Sequence, residues 1–129
     1  MYKKIESHKD LIVWQKSLEL VERIYQLTKE FPKDELYGLT SQMRRAAITI
    51  PTNITEGYQR NYIKEYIQFL YISKSSASEL ETQFIIAKRL GLVDGKKIQE
   101  TENLLSEILK MLTVMIERLK MKHFHQNYN

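Results

Sequence analysis

The sequence predicts an all-α fold: one domain over residues 1–129, built as an up-down-up-down antiparallel four-helix bundle. Three observations lead there. Apolar residues recur at alternating steps of three and four along most of the chain, and no segment sustains a period of two. Only four Gly and two Pro interrupt 129 residues, too few for many short strands and turns. The breaks are short, at residues 31–34, 57–61 and 91–95, and short links force neighbouring helices to run antiparallel.

The first helix is predicted over residues 11–30, with Leu11, Trp14, Leu18, Val21 and Tyr25 as its stripe. Phe31-Pro32-Lys33-Asp34 ends it. The second is predicted over 35–58, on Leu36, Leu39, Met43, Ala46, Ile50 and Ile54, with Asp34 and Glu35 at the end where the helix dipole favours negative charge. Pro51 lies inside it. A proline removes one backbone hydrogen bond and clashes with the carbonyl four residues back, here Ala47. The periodicity nonetheless runs from Met43 through Ile50 to Ile54, which predicts one helix kinked at Pro51 rather than a break giving five helices.

The third helix is predicted over 62–90, on Ile63, Tyr66, Leu70, Ser73, Ala77, Leu80, Phe84 and Ala87. Gly91 suits the position just past its end. The fourth is predicted over 95–121, on Ile98, Thr101, Leu105, Ile108, Leu112, Met115 and Leu119. His123 to Asn129 lose the period and are expected to fray. Two helices carry surplus apolar residues: Val13, Leu20, Ile24 and Leu27 in the first, Leu104, Leu109, Met111 and Ile116 in the fourth. A bundle helix needs one apolar face, so the surplus predicts self-association, with generous core packing as the alternative.

At 100° per residue, Arg44 borders the apolar face of the second helix and Arg45 points away from it. Glu81 falls near the stripe of the third helix. A carboxylate beside a core needs a partner, which predicts a structural Arg44–Glu81 ion pair.

The chain has no cysteine, so disulfides and thiolate metal sites are excluded. Its three histidines, His8, His123 and His125, lie near the termini and make no Glu-x-x-His pair; no phosphate loop or nucleophile elbow is present. No enzymatic activity and no cofactor are predicted. The polar start MYKKIESHKD and the absence of a long apolar run predict a soluble, cytoplasmic protein with no membrane partner. Net charge is +4, with acids and bases interspersed. Such a mild excess permits RNA or DNA as a partner without requiring it.

Three stretches together resemble the four-helix-bundle family of the 23S rRNA intervening-sequence proteins: DLIVWQKSLELVERIYQLTKEFP at 10–32, ELYGLTSQMRRAAITIPTNITEGYQR at 35–60 and EYIQFLYISKSSASELETQFIIAKRLG at 65–91. They cover most of the chain in order. This chain departs from the family pattern at Thr55, where Ala precedes the Glu-Gly pair, and at Ser75-Ser76, where the pattern has Gly-Ser. The resemblance implies a bundle that assembles into rings, with pentamers expected. It also implies kinship with the accessory variability determinants of diversity-generating retroelements, which work beside reverse transcriptases and bind nucleic acid through a basic surface. This chain lacks the strong basic charge of that group.

The predicted function is a non-enzymatic, ring-forming bundle that binds RNA or DNA with little sequence preference. Phosphate contacts are expected from Arg45, Arg60 and Lys64, with Lys96 and Lys97 as further cations. Tyr58 and Tyr62 interleave with these bases and are candidates for stacking, ordinary turn packing being the alternative. The rival function is an oligomeric scaffold for a protein partner, without nucleic-acid contact.

Overall fold

The computed structural model describes residues 4–128. It is an antiparallel bundle of four α-helices: α1, Ile12–Thr28; α2, Ser41–Tyr58; α3, Ile63–Arg89; and α4, Gln99–Tyr128. Among the described residues there is no strand. A 3₁₀ turn, His8–Asp10, precedes α1 and is closed by a capping box. In it the Ser7 hydroxyl accepts from the Lys9 N–H at 3.2 Å, and Asp10 Oδ2 accepts from the Ser7 N–H at 3.3 Å.

The path into α2 is less direct than the periodicity predicts. A 3₁₀ turn at Lys33–Glu35 leads into a π-helical turn at Leu36–Thr40, where Gly38 leaves helical conformation at φ −113° and ψ −114°. Glu35 Oε2 accepts from the Leu39 N–H at 3.3 Å and holds the turn together. Leu36, expected in the stripe, is therefore exposed, and regular α2 begins at Ser41. From there the helix runs without interruption through Pro51, which is buried. Around the proline, Thr49, Thr52 and Thr55 each donate a hydroxyl to the carbonyl four residues back, at 2.8, 2.8 and 3.0 Å. From α3, Ser73 donates to the Ile50 carbonyl at 2.8 Å within the core.

The first helix corrects the sequence reading. Its buried seam is Val13, Ser17, Leu20, Ile24 and Thr28, whereas Leu18 of the expected stripe is exposed and Leu11, Trp14, Val21 and Tyr25 are only half-buried. Ser17 and Thr28 disguised the true seam as half polar. Both hydroxyls are satisfied within α1, donating to the carbonyls of Trp14 and Ile24 at 2.7 Å each, so both can sit in the core without cost to their hydrogen bonding.

The fourth helix also departs from expectation. It does not fray at His123 but continues to Tyr128; Asn129 lies outside the described residues. Ile116 and Leu119 keep the apolar phase of its last turns against the bundle.

Two glycines are required by geometry. Gly91 has φ +71° and ends α3 in a Schellman motif, with Leu92 N–H on the Ala87 carbonyl at 2.9 Å and Gly91 N–H on that of Lys88 at 3.0 Å. Gly57 lets α2 and α3 approach. A Cβ there would lie 2.9 Å from Phe69 Cβ, 2.9 Å from Tyr66 Cδ1 and 3.2 Å from the Tyr66 carbonyl oxygen. Helix propensity alone would make Gly57→Ala stabilising by about 1 kcal/mol. The crowding against α3 reverses the sign, and Gly57→Ala should lose about 1–3 kcal/mol in a denaturant melt.

Candidate nucleic-acid interface

Bundle topology sorts the predicted cations into two groups. Arg60, Lys64, Tyr58 and Tyr62 lie at the α2–α3 turn. Lys96 and Lys97 lie in the α3–α4 connection at the opposite end, and Arg45 is in the second turn of α2, in that same opposite half. Thirteen helical steps carry α2 from Arg45 to its end at Tyr58, about 20 Å along the axis, and Arg60 lies just beyond. The predicted residues therefore do not form one surface.

At the α2–α3 turn an aromatic cluster closes the bundle. Trp14 Nε1 donates to Thr55 Oγ1 at 3.0 Å, so the threonine supplies the indole with an acceptor. His8 meets Trp14 and Tyr58 edge-on, with ring centroids 5.2 and 6.3 Å apart, and Tyr58 meets Tyr66 at 6.1 Å. Tyr58 is thus half-buried packing, which removes it from the interface. Arg60 is engaged within the chain too: its guanidinium lies 4.6 Å above the Phe69 ring and 3.5 Å from Glu56.

Tyr62 and Lys64 differ. The Tyr62 ring is 70% exposed, and Lys64 is exposed with no ion pair among the described residues. Because α4 keeps its helix, Lys122, His123 and Gln126 come alongside them and enclose a concavity of about 640 Å³, with Asn61 and one acid, Glu65, on its rim. Lys122 is exposed and likewise without an ion pair among the described residues. The sequence reading missed these α4 residues because it ended the helix early. The apolar period gave no signal there, because the positions that continue the three-and-four spacing from Leu119 are the polar His123 and Gln126.

Arg44 does not pair with Glu81. Glu81 is exposed on α3, and Arg44 reaches α1 instead. Its Nε donates to Thr28 Oγ1 at 2.9 Å and its guanidinium stacks 4.5 Å from the centroid of the Tyr25 ring. A wheel gives the angle of a residue about its own helix but not which neighbour it faces, and here the neighbour is α1. Arg45 is exposed, and Lys96 and Lys97 are exposed in the turn that Asp94 organises by accepting from the Lys96 N–H at 2.9 Å.

No group of three or more metal-ligating side chains converges among the described residues, and no described helix is long and apolar enough to cross a membrane.

The family model described as 23S rRNA-intervening sequence protein matches residues 9–114. The chain belongs to that family. Its fold is also that of a crystal structure from Bacteroides thetaiotaomicron, described as a protein with unknown function from the S23 ribosomal protein family. The two share 27% identity and a TM-score of 0.76, over 82% of this chain and 96% of the other. No curated protein matches the chain. The matched residues thus span α1 to α3 and about the first half of α4, while the last turns of α4, with Lys122 and His123, lie beyond them.

Two predictions follow from these side chains. Burial, and secondarily the neighbouring Tyr58, push the Tyr66 hydroxyl up to about 12. The fold therefore disfavours the phenolate, and the stability this provides is complete below the ordinary tyrosine value of about 10 and is lost as pH rises toward 12. Absorbance titration at the tyrosinate band should show a late-ionising tyrosine, absent in Tyr66→Phe, and that variant should lose less stability between those pH values than the parent. Arg44→Ala removes a hydrogen bond and a stacked cation, not a buried ion pair. In a urea melt it should cost about 1–3 kcal/mol, while exposed Arg45→Ala should stay within about 0.5 kcal/mol.

Proposed function

We propose that the protein is a non-enzymatic, self-associating cytoplasmic bundle that binds single-stranded RNA or DNA, with little sequence preference, at the end formed by the α2–α3 turn and the last turns of α4. The observation that carries this reading is the meeting of exposed Tyr62 with Lys64 and Lys122, two cations without ion pairs among the described residues, around one open concavity. A projecting ring offers a stacking platform that any base can use, and the lysines offer phosphate contacts on either side. Nothing in that set reads a base edge, which fits weak sequence preference.

Self-association draws on a separate feature. The outer face of α1, with Trp14, Leu18 and Val21, runs beside Ile48 and Pro51 of α2 as an apolar groove, and α4 carries Met111, Val114 and Met115 on its outer side. These surfaces suit contact between copies, with the pentamer implied by the family resemblance as the expected assembly. A cyclic assembly would repeat the basic end around a ring and raise strand affinity through multivalency. An apolar groove also suits a protein partner, and the same measurements separate that scaffold reading.

The test is an anisotropy titration of single-stranded RNA and DNA at two salt concentrations, with mass measured alongside. Binding should weaken steeply with salt. Replacing Lys64 and Lys122 together by Ala should flatten the slope by about 1.4, at roughly 0.7 per phosphate contact on a single strand. Tyr62→Ala should cost about 1–3 kcal/mol of binding. A multimer that binds neither nucleic acid would leave the scaffold reading.

A further inference from the structure

A second concavity, of about 500 Å³, lies in the opposite half of the bundle, where the turn before α2 and the first turns of α2 face α1. It is distinct from the proposed strand-binding end and uses none of its residues. Its walls have two characters. One carries Arg44 and Arg45 with the hydroxyl of Ser41; the other is apolar, with Leu36, Tyr37 and Ile48. No acidic residue lines it.

The two arginines are in an unusual condition. Neither has a carboxylate partner among the described residues. Arg44 is held in place from behind, its Nε bonded to Thr28 and its guanidinium plane stacked on Tyr25. Its terminal nitrogens make no hydrogen bond among the described residues. They are not fully buried and so keep contact with solvent, unlike Gln83 Oε1, the one side-chain polar atom among the described residues that is both buried and without a partner. A fixed guanidinium with terminal donors unpaired among the described residues, next to a second cation and with no acid lining the concavity, is a preorganised site for an oxyanion. An inorganic anion would leave most of the space unused. The Tyr37 ring is 93% exposed and contributes almost nothing to the core, yet it stands on the rim of this concavity beside exposed Leu36 and Ile48. The volume is that of a small-molecule site.

We propose that this concavity binds a nucleoside phosphate, with the phosphate between Arg44, Arg45 and the Ser41 hydroxyl and the base against Tyr37. The same chemistry is offered by a free mononucleotide and by one residue of a strand.

Calorimetric titration with adenosine 5′-monophosphate, adenosine, inorganic phosphate and a short oligoadenylate tests this. The monophosphate should bind at least about tenfold more tightly than adenosine or phosphate alone, since phosphate and ring contacts combine. Arg45→Ala should weaken monophosphate and phosphate about tenfold or more, and Tyr37→Ala should weaken the monophosphate while leaving phosphate unchanged. Both residues are exposed, so both variants should keep the parent's melting temperature. The Lys64→Ala, Lys122→Ala double variant should bind the monophosphate as the parent does, which keeps this site separable from the strand-binding end. In that double variant, retention of monophosphate binding with loss of oligoadenylate binding assigns the site to free nucleotides; oligoadenylate binding that remains and is lost on adding Arg45→Ala assigns it to a residue of a strand. Either result supports the site. No binding of the monophosphate at millimolar concentration, or unchanged affinity in Arg45→Ala, overturns it. So does a fall in oligomeric mass in Arg45→Ala with monophosphate affinity unmoved, because the arginines would then be meeting carboxylates of a second copy.

Discussion

The close approach of α2 to α3 is the constraint on which the remaining structure depends. It is the most extensive helix–helix contact of the bundle, and its chemistry is that of small residues. Gly57 admits Tyr66 and Phe69, and Ser73 reaches the Ile50 carbonyl. One or two turns further in the same antiparallel register, Ala46 and Ala47 come opposite Ser76 and Ala77, all of them buried. The large buried side chains, among them Leu20 and Ile24 of α1, Leu80 and Phe84 of α3, and Leu105 and Leu112 of α4, complete the core around that seam. The buried proline belongs to the same logic. Pro51 removes a donor from α2, and the α3 serine one turn away on the facing helix donates to the adjacent carbonyl, so the helix with the irregular ladder is the one most firmly held from outside.

That seam also decides what the outer surface of the pair presents. With α3 on one side and α1 on another, Arg44 has only α1 within reach, and Thr28 meets it with a hydroxyl already committed as a donor to the Ile24 carbonyl. A hydroxyl that donates inward and accepts from a cation has both roles satisfied, which is why a threonine, otherwise a modest helix former, can occupy the last turn of α1 in a buried position. Ionic ties to α4 are different in kind. Lys16–Glu107, Arg23–Glu100 and Lys88–Glu102 all cross to α4 at its solvent edges, at 3.1, 3.6 and 2.7 Å. Such exposed pairs contribute about 0–1 kcal/mol each, so they tune the docking of α4 while apolar burial supplies it.

Helix count, order, the Schellman glycine and the survival of α2 across its proline were legible in the chain because each depends on local spacing or on one residue's conformational preference. What was not legible depends on tertiary partners. The α1 seam was misassigned because two polar side chains, Ser17 and Thr28, occupy core positions that only intrahelical hydrogen bonds make tolerable, while a parallel row of larger apolar residues lay one step around the wheel. The Arg44 partner was misassigned because side-chain angle about one axis does not select between two neighbouring helices. At the candidate interface, the interleaving in the turn singled out Tyr62 and Lys64, but not the Lys122 that lines the same concavity, since its position there depends on α4 being long enough to return to that turn.

The mild net charge of this chain takes on a different meaning once the fold is known. A +4 excess spread over 129 residues would steer nucleic acid feebly. Part of the surface charge, however, is neutralised in pairs: Lys16, Arg23, Arg60, Lys88 and Lys120 each face a carboxylate within 4.0 Å. The cations left without such partners include Arg44 and Arg45 in one half of the bundle and Lys64 and Lys122 at the opposite end. Each couple stands beside an exposed tyrosine. Pairing thus works as subtraction. It takes five of the 20 lysines and arginines out of play and leaves in place two couples that each stand next to an aromatic ring, and at separations near the Debye length of about 8 Å it is such a local couple, rather than the total, that a phosphate senses.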